Sequence, residues 1–180
     1  MKKEISQKIE IPPGVEVVFE DNELTIKGQK GEIKRKLFLG RVKFEKKGGE
    51  IILTDKNATK KEKKIINTNA SHIRNMIKGV QENFEYKLKI CTSHFPISVE
   101  IKEGEALVKN FLGEKVPRKI KIPKKVQIDV DRDIITISSA DKELAGQTAA
   151  SFERSTKIQS RDRRIFQDGI YIIKKAGKEI

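Results

Sequence analysis

Tryptophan is absent from the 180-residue chain, cysteine occurs once and histidine twice. The single thiol, Cys91, excludes an internal disulfide framework and fits a reducing cytoplasm. With only His72 and His94 beside it, neither a zinc set nor a catalytic triad stands out. No apolar run approaches the roughly 18 residues that a membrane span requires. Met1 to Glu4 leads directly into alternating sequence rather than into an amphipathic anchor, so a soluble, unexported protein is expected. Phosphate-loop and dinucleotide fingerprints are missing as well. Catalytic residues, a metal, a cofactor, a small-molecule substrate and a membrane partner are therefore all outside the expectation.

Charge is abundant. Charged residues make up 36% of the chain, against about 25% in an ordinary soluble domain. Lys and Arg number 39 and Asp and Glu 26, a net charge of +13. An excess of that size favours a polyanion through release of its condensed counterions, which makes nucleic acid the leading partner. The excess is unevenly spread. Residues 1–82 hold 19 basic and 12 acidic side chains, residues 83–153 hold 12 and 11, and residues 154–180 hold 8 and 3.

An internal repeat emerges when the N-terminal pattern is shifted by about 82 positions. Val15, Val17 and Phe19 then fall on Ile97, Val99 and Ile101, and Glu23, Ile26 and Lys27 on Glu105, Val108 and Lys109. Gly31-Glu32 falls on Gly113-Glu114, Ile51 to Thr54 is echoed by Ile134 to Ile137, and Thr68, Ala70 and Ser71 by Thr148, Ala150 and Ser151. Each copy has period two first and period 3.6 later. The expectation is an α+β fold of two tandem similar domains, each a small antiparallel sheet packed against a helix. The first spans residues 1–82. The second, residues 83–180, carries a basic C-terminal tail.

In the first copy Val15/Val17/Phe19, Leu24/Ile26, Val42/Phe44 and Ile51 to Thr54 read as strands, with turns at Asp21-Asn22 and Gly48-Gly49. Ile66, Ala70, Ile73, Ile77 and Val80 line one helical face, and Thr59 with Glu62 forms a capping box. Tyr86/Leu88/Ile90, Ile97/Val99/Ile101, Val126/Ile128/Val130 and Ile134 to Ile137 are the second copy's strands. A helix follows from about Asp141 to Arg154, with Ala145, Ala149 and Phe152 on one side.

The C-terminal tail gathers Arg154, Lys157, Arg161, Arg163 and Arg164 near Phe166 and Tyr171, then Lys174-Lys175. Guanidinium groups that grip phosphates thus lie beside rings that stack on bases. Lys115, Arg118, Lys119, Lys121, Lys124 and Lys125 form a second run, punctuated by Pro117 and Pro123. It reads equally as an RNA contact or as a solvated strand edge protected by lysines. Lys60, Lys61, Lys63 and Lys64 open the first helix, where the macrodipole does not favour cations; a phosphate partner or a tolerated charged face both account for them.

Other motifs have plainer readings. Cys91 and His94 are spaced as a nucleophile and base, but they sit where a strand turns into Phe95-Pro96, as a packed cysteine and a surface histidine. His72 belongs to the polar face of the first helix. Asp129, Asp131 and Asp133 imitate a calcium loop, yet Ile134 and Ala140 stand where that loop needs glycine and glutamate, and a hairpin turn explains them. Gly28-Gln29-Lys30-Gly31 has the spacing of the KH-domain loop but follows a strand pattern, so it reads as a turn. The sequons at Asn57 and Asn69 carry no weight without secretion.

The duplicated unit, the Phe95-Pro96 segment and the tail Lys157-Ile-Gln-Ser-Arg-Asp-Arg-Arg-Ile-Phe-Gln-Asp-Gly-Ile-Tyr-Ile together resemble the sixth large-subunit ribosomal protein family, in its archaeal and eukaryotic form. Ile9-Glu-Ile-Pro-Pro-Gly-Val and Leu24-Thr-Ile-Lys-Gly-Gln-Lys-Gly-Glu are similar to that family too. The resemblance implies a non-catalytic scaffold in the cytoplasm, bound mainly through the second domain and tail to large-subunit rRNA, near the factor-binding region and sarcin-ricin loop, beside neighbouring ribosomal proteins. It implies contacts by Lys157, Arg161, Arg163 and Arg164, with Gln159 and Ser160 as polar contributors. Charge alone adds Arg154, Lys174, Lys175, Lys115, Arg118 and Lys119. The rivals are an assembly or translation factor that visits ribosomes, and an RNA-processing enzyme using Asp129 to Asp133.

For Z neutralised phosphates on a duplex, log affinity falls with log salt at a slope of about −0.9Z. Removing the charges of Arg163 and Arg164 together is expected to flatten that slope by up to roughly 2 on an rRNA fragment. An unchanged slope removes both from the site.

Overall fold

Short alternating segments closed by tight turns dictate most of the architecture. The computed structural model describes residues 3–162 and 164–180. The chain divides into two units, Met1–Asn83 and Phe84–Ile180.

In the first unit β1 (Lys3–Glu10), β5 (Lys43–Lys47) and β6 (Glu50–Ala58) form an antiparallel sheet in the order β1-β6-β5. A second sheet contains β2 (Glu16–Glu20), β3 (Glu23–Gly28) and β4 (Gly31–Lys36). Asp21 and Asn22, with φ of 48° and 63°, supply the left-handed pair that closes the β2-β3 hairpin, a conformation their short polar side chains tolerate. Phe19 of β2 stacks on Phe44 of β5 at 4.2 Å, and the Lys46 ammonium donates to the Val17 carbonyl at 2.8 Å, which ties the two sheets together.

Helix α1 (Lys60–Gln81) packs on strands of both sheets, β1 and β6 from one and β3 and β4 from the other. Its start is fixed by the Thr59–Glu62 capping box. Ile66, Ala70, Ile73, Met76, Ile77 and Val80 are buried along its inner face, and each large aliphatic there stabilises the unit by about 1.5–3 kcal/mol. Lys60, Lys61, Lys63 and Lys64 are exposed.

The second unit repeats the plan. The sheet formed by β8 (Ser98–Lys102), β9 (Glu105–Lys109) and β10 (Arg118–Lys121) matches the one formed by β2, β3 and β4. β7 (Phe84–Cys91), β11 (Gln127–Asp131) and β12 (Ile134–Ser139) match β1, β5 and β6. Asp129, Asp131 and Asp133 lie in the β11-β12 hairpin, whose turn places Arg132 at φ 50°. Helix α2 (Lys142–Ser155) starts at Asp141, whose carboxylate accepts the Glu143 amide at 2.9 Å. Gly146 faces Tyr86, where a Cβ would come within 3.1 Å of the phenol oxygen. Phe84, Leu88, Ile135, Ile137, Ala145, Ala149 and Phe152 are buried in the shared core.

The basic tail is only partly a tail. Gly169–Lys175 is strand β13, hydrogen-bonded to β7, and Lys178–Glu179 is β14, giving a five-stranded sheet β11-β12-β7-β13-β14. Aliphatic residues outweigh the lysines here: Ile170 is fully buried while Tyr171 is half exposed, the alternation that a sheet with one covered face requires. The Pro117–Pro123 segment likewise contains a strand, the edge strand β10, with the prolines just outside it.

Gly28 ends β3 directly against α1. A Cβ there would lie 2.8 Å from the Val80 carbonyl oxygen, which also accepts the Lys30 amide at 2.9 Å. Gly28→Ala is therefore expected to lower stability by about 1–3 kcal/mol, read as a lower urea midpoint of the first unit's transition in the intact chain. An unchanged midpoint would show that α1 gives way freely at this contact.

Candidate nucleic-acid interface

Residues 156–168, between α2 and β13, form a loop whose two ends are held together. Thr156, the α2 C-cap, is buried, and its hydroxyl accepts the Ile170 amide at 2.9 Å. Ile158 is buried two residues further on. A loop with joined ends and an internal apolar anchor has the character of an Ω-loop. Lys157, Gln159, Ser160 and Arg161 are exposed between these buried anchors.

Asp168 fixes the far end. Its carboxylate is 1% exposed and accepts the Ser93 amide, the His94 amide at 2.9 Å and the His94 ring Nδ1 at 2.5 Å. Burial by itself raises this carboxyl, but the two backbone N–H donors and the His94 ring outweigh it and hold the pKa at about 2. The His94 ring in turn stacks on Phe166 at 4.8 Å between centroids, and the Arg161 guanidinium lies 4.9 Å from the Phe166 ring centre. A buried acid thus positions, through two rings, an exposed cation. His94 turns Nδ1 toward Asp168, and Cys91 is a half-buried free thiol. Among the described residues no group of His, Cys, Asp and Glu is arranged to hold a metal ion.

Asp162 organises the middle of the loop. Its carboxylate receives the Arg164 amide at 2.9 Å and the Arg164 side chain at 3.1 Å and 2.7 Å, while its carbonyl accepts the Phe166 amide at 2.9 Å. Hydrogen bonding from Arg164 lowers the Asp162 carboxyl from its ordinary range. The Arg164 side chain is 89% exposed, so this ion pair is weak in water and its fork can be given to a phosphate. Arg154, Lys157, Gln159, Ser160 and Arg161 are exposed on the same loop and helix end. Arg163 lies outside the described residues.

The second basic run reaches this loop. Arg118 is bound inside the unit: it pairs with Glu114 at 2.8 Å through Nε, donates to the Ser155 carbonyl and lies 4.4 Å above the Phe111 ring. It therefore clamps β10 to the end of α2. Hydrogen bonding from Arg118 lowers the Glu114 carboxyl, and Arg161 of the loop adds a weaker attraction to the same carboxylate. Lys115 and Lys119 are exposed, as are Lys121, Lys124 and Lys125. Lys174 and Lys175 are at the opposite end of β13 from the loop, about 15–20 Å along the strand, and are not brought together with it.

A pocket of about 410 Å³ opens between the end of α2, the loop and the start of β13. Ala150, Glu153, Arg154, Thr156, Lys157, Ile158, Phe166, Gln167 and Tyr171 line it. Sequence reasoning found the cations and both aromatic rings but not the Asp168–His94 clasp or the pocket. The one readable signal was an acid placed immediately before the glycine that starts a strand.

The sign of the Asp168 effect follows from its lowered pKa: the stabilisation is complete above the ordinary aspartate range and is lost as pH falls through about 2. Its size is ~1–2 kcal/mol. Asp168→Asn is expected to remove that much of the stability difference between pH 5 and pH 2 in urea titrations, about 2 kcal/mol at most. An identical pH dependence in wild type and variant would show that the clasp contributes nothing.

The family model described as Ribosomal protein L6 matches twice, over residues 11–83 and 95–169. "Large ribosomal subunit protein uL6" of Methanobrevibacter smithii is 43% identical over 171 residues, covering 95% of this chain and 96% of the relative. Its namesake from Methanosarcina mazei is 43% identical over 176 residues, 98% of this chain and 100% of the relative. That of Methanothrix thermoacetophila is 38% identical over 175 residues, 97% and 99% of the two chains. The duplicated unit, matched in both copies, and the near full-length likeness to these proteins show that the chain belongs to the ribosomal protein L6 family.

Proposed function

We propose that this protein is a structural constituent of the large ribosomal subunit, in the cytoplasm, with large-subunit rRNA and neighbouring ribosomal proteins as its partners. Its contact lies near the factor-binding region and sarcin-ricin loop. The observation that carries the reading is the pinned loop 156–168 with the adjoining end of α2, which together hold Arg154, Lys157, Arg161 and Arg164 exposed. Its role is positional. Arginine forks and backbone amides bind phosphates, which fix register without reading sequence. Because Asp168 and Phe166 hold the loop before RNA arrives, little ordering entropy opposes binding.

Gln159 and Ser160 add neutral donors on the same loop. Lys115 and Lys119 extend the cationic surface, and Arg118 supports it by holding β10 to α2. Lys174 and Lys175, far along β13, serve a separate RNA segment.

Salt-washed large subunits test this. Wild-type protein is expected to stay with the subunit through a high-salt wash, whereas Arg161→Gln with Arg164→Gln raises the fraction released several-fold. Complete release of the wild-type protein would make it a visiting factor.

A further inference from the structure

The pocket beside the loop has chemistry that phosphate gripping does not use. Tyr171 lies on its wall with the ring against Gly169, where a Cβ would come within 3.2 Å of Cζ and Oη. The tyrosine hydroxyl donates to the Gln167 carbonyl at 3.1 Å. The ring is thereby fixed, yet 41% of the residue is exposed. Phe166 forms another wall and is held by His94 and Arg161. Ala150 and Ile158 complete an apolar interior.

Charge of both signs stands on the lining. Arg154 and Lys157 are exposed cations, and Glu153 is an exposed carboxylate. A phosphate placed beside Glu153 would be repelled by it. A base edge bearing an amine would find it an acceptor. About 410 Å³ falls within the roughly 300–1,000 Å³ typical of small-ligand pockets, whereas a paired helix presents its bases stacked and cannot enter.

We propose that this pocket seats one unstacked nucleotide of the bound RNA, with its base on Tyr171 and its phosphate at Arg154 and Lys157; the assignment rests on the loop being the RNA-binding surface. Single-stranded RNA is recognised in this way, by splayed bases stacked on aromatic rings. The fixed ring adds to the advantage, because no side chain has to be ordered on binding. The loop's arginines would supply charge, and the pocket a choice of which nucleotide is placed there.

The test uses the full chain and a sarcin-ricin-region rRNA fragment with 2-aminopurine replacing its unpaired adenines one at a time. One position is expected to lose fluorescence on binding. Tyr171→Phe keeps that quenching. Tyr171→Leu abolishes it and weakens binding about tenfold, with the salt slope falling by no more than the one phosphate held at Arg154 and Lys157. Ala150→Phe, which fills the pocket, does the same, and thermal unfolding confirms that each variant is folded. Quenching at no position, or wild-type binding and quenching by both pocket variants, overturns the proposal. Displacement of the RNA by micromolar free adenosine monophosphate would also overturn it, by reassigning the pocket to a free nucleotide. The underlying reading fails separately: folded Arg161→Gln and Arg164→Gln variants that bind the fragment as wild type does would remove the loop from the RNA surface, and the pocket proposal with it.

Discussion

A buried carboxylate with three nitrogen donors holds the candidate interface in shape. Asp168 carries a full charge inside the unit only because Ser93 and His94 present their amides and His94 adds its ring. An unpaired charge at that depth would be strongly destabilising. Those donors come from the turn after β7, and the acid comes from the residue before β13, so the interaction joins segments 74 and 75 residues apart. It sets where β13 begins, and Thr156 with Ile170 sets where the loop closes. Those two fixtures hold the loop at its ends.

The two copies of the repeat show what was added to make this surface. In the first unit β1 is an edge strand of its sheet, ordered β1-β6-β5. In the second unit the equivalent β7 has β13 on that side and β14 beyond it. Strand β13 pairs with β7, Gly169 opposite Cys91 and Ile170 opposite Ile90, with a shift of register between Ile172 and Lys174. This pairing anchors the loop at its C-terminal side. The repeat thus provides two similar cores, and the second carries an extension that turns a sheet edge into the support for a loop.

Elements with strong periodicity were readable from the residues themselves. The face Ile66, Ala70, Ile73, Ile77 and Val80, with Thr59 and Glu62 before it, specifies α1 because helix period and capping agree. The hairpin residues Asp21-Asn22 and Gly48-Gly49 were equally plain, since few residues accept left-handed pairs. Strand β13 was obscured because Lys174 and Lys175 weight the segment toward charge, while its partner β7 lies far away in sequence. The split of each unit into two sheets was also hidden: alternation tells which face of a strand is buried but not which strand lies beside it. At the interface, composition located the cations. It could not tell Arg118, spent on Glu114 and Ser155, from Arg164, whose side chain stands in solvent.

That distinction changes what the net charge means. Acids within a basic surface look as though they work against RNA binding, yet three of them here position a cation or a ring. Asp162 gathers Arg164, Glu114 holds Arg118 near Arg161, and Asp168 fixes His94 and through it Phe166. Exposed ion pairs such as Asp162–Arg164 are worth little to folding, so exchanging the carboxylate for a phosphate costs little and gains counterion release. Buried Asp168 has no such exchange open to it and serves the loop's geometry alone. Long-range attraction follows from the count of charges, but the spacing of the exposed cations at the candidate interface follows from the few acids placed among them.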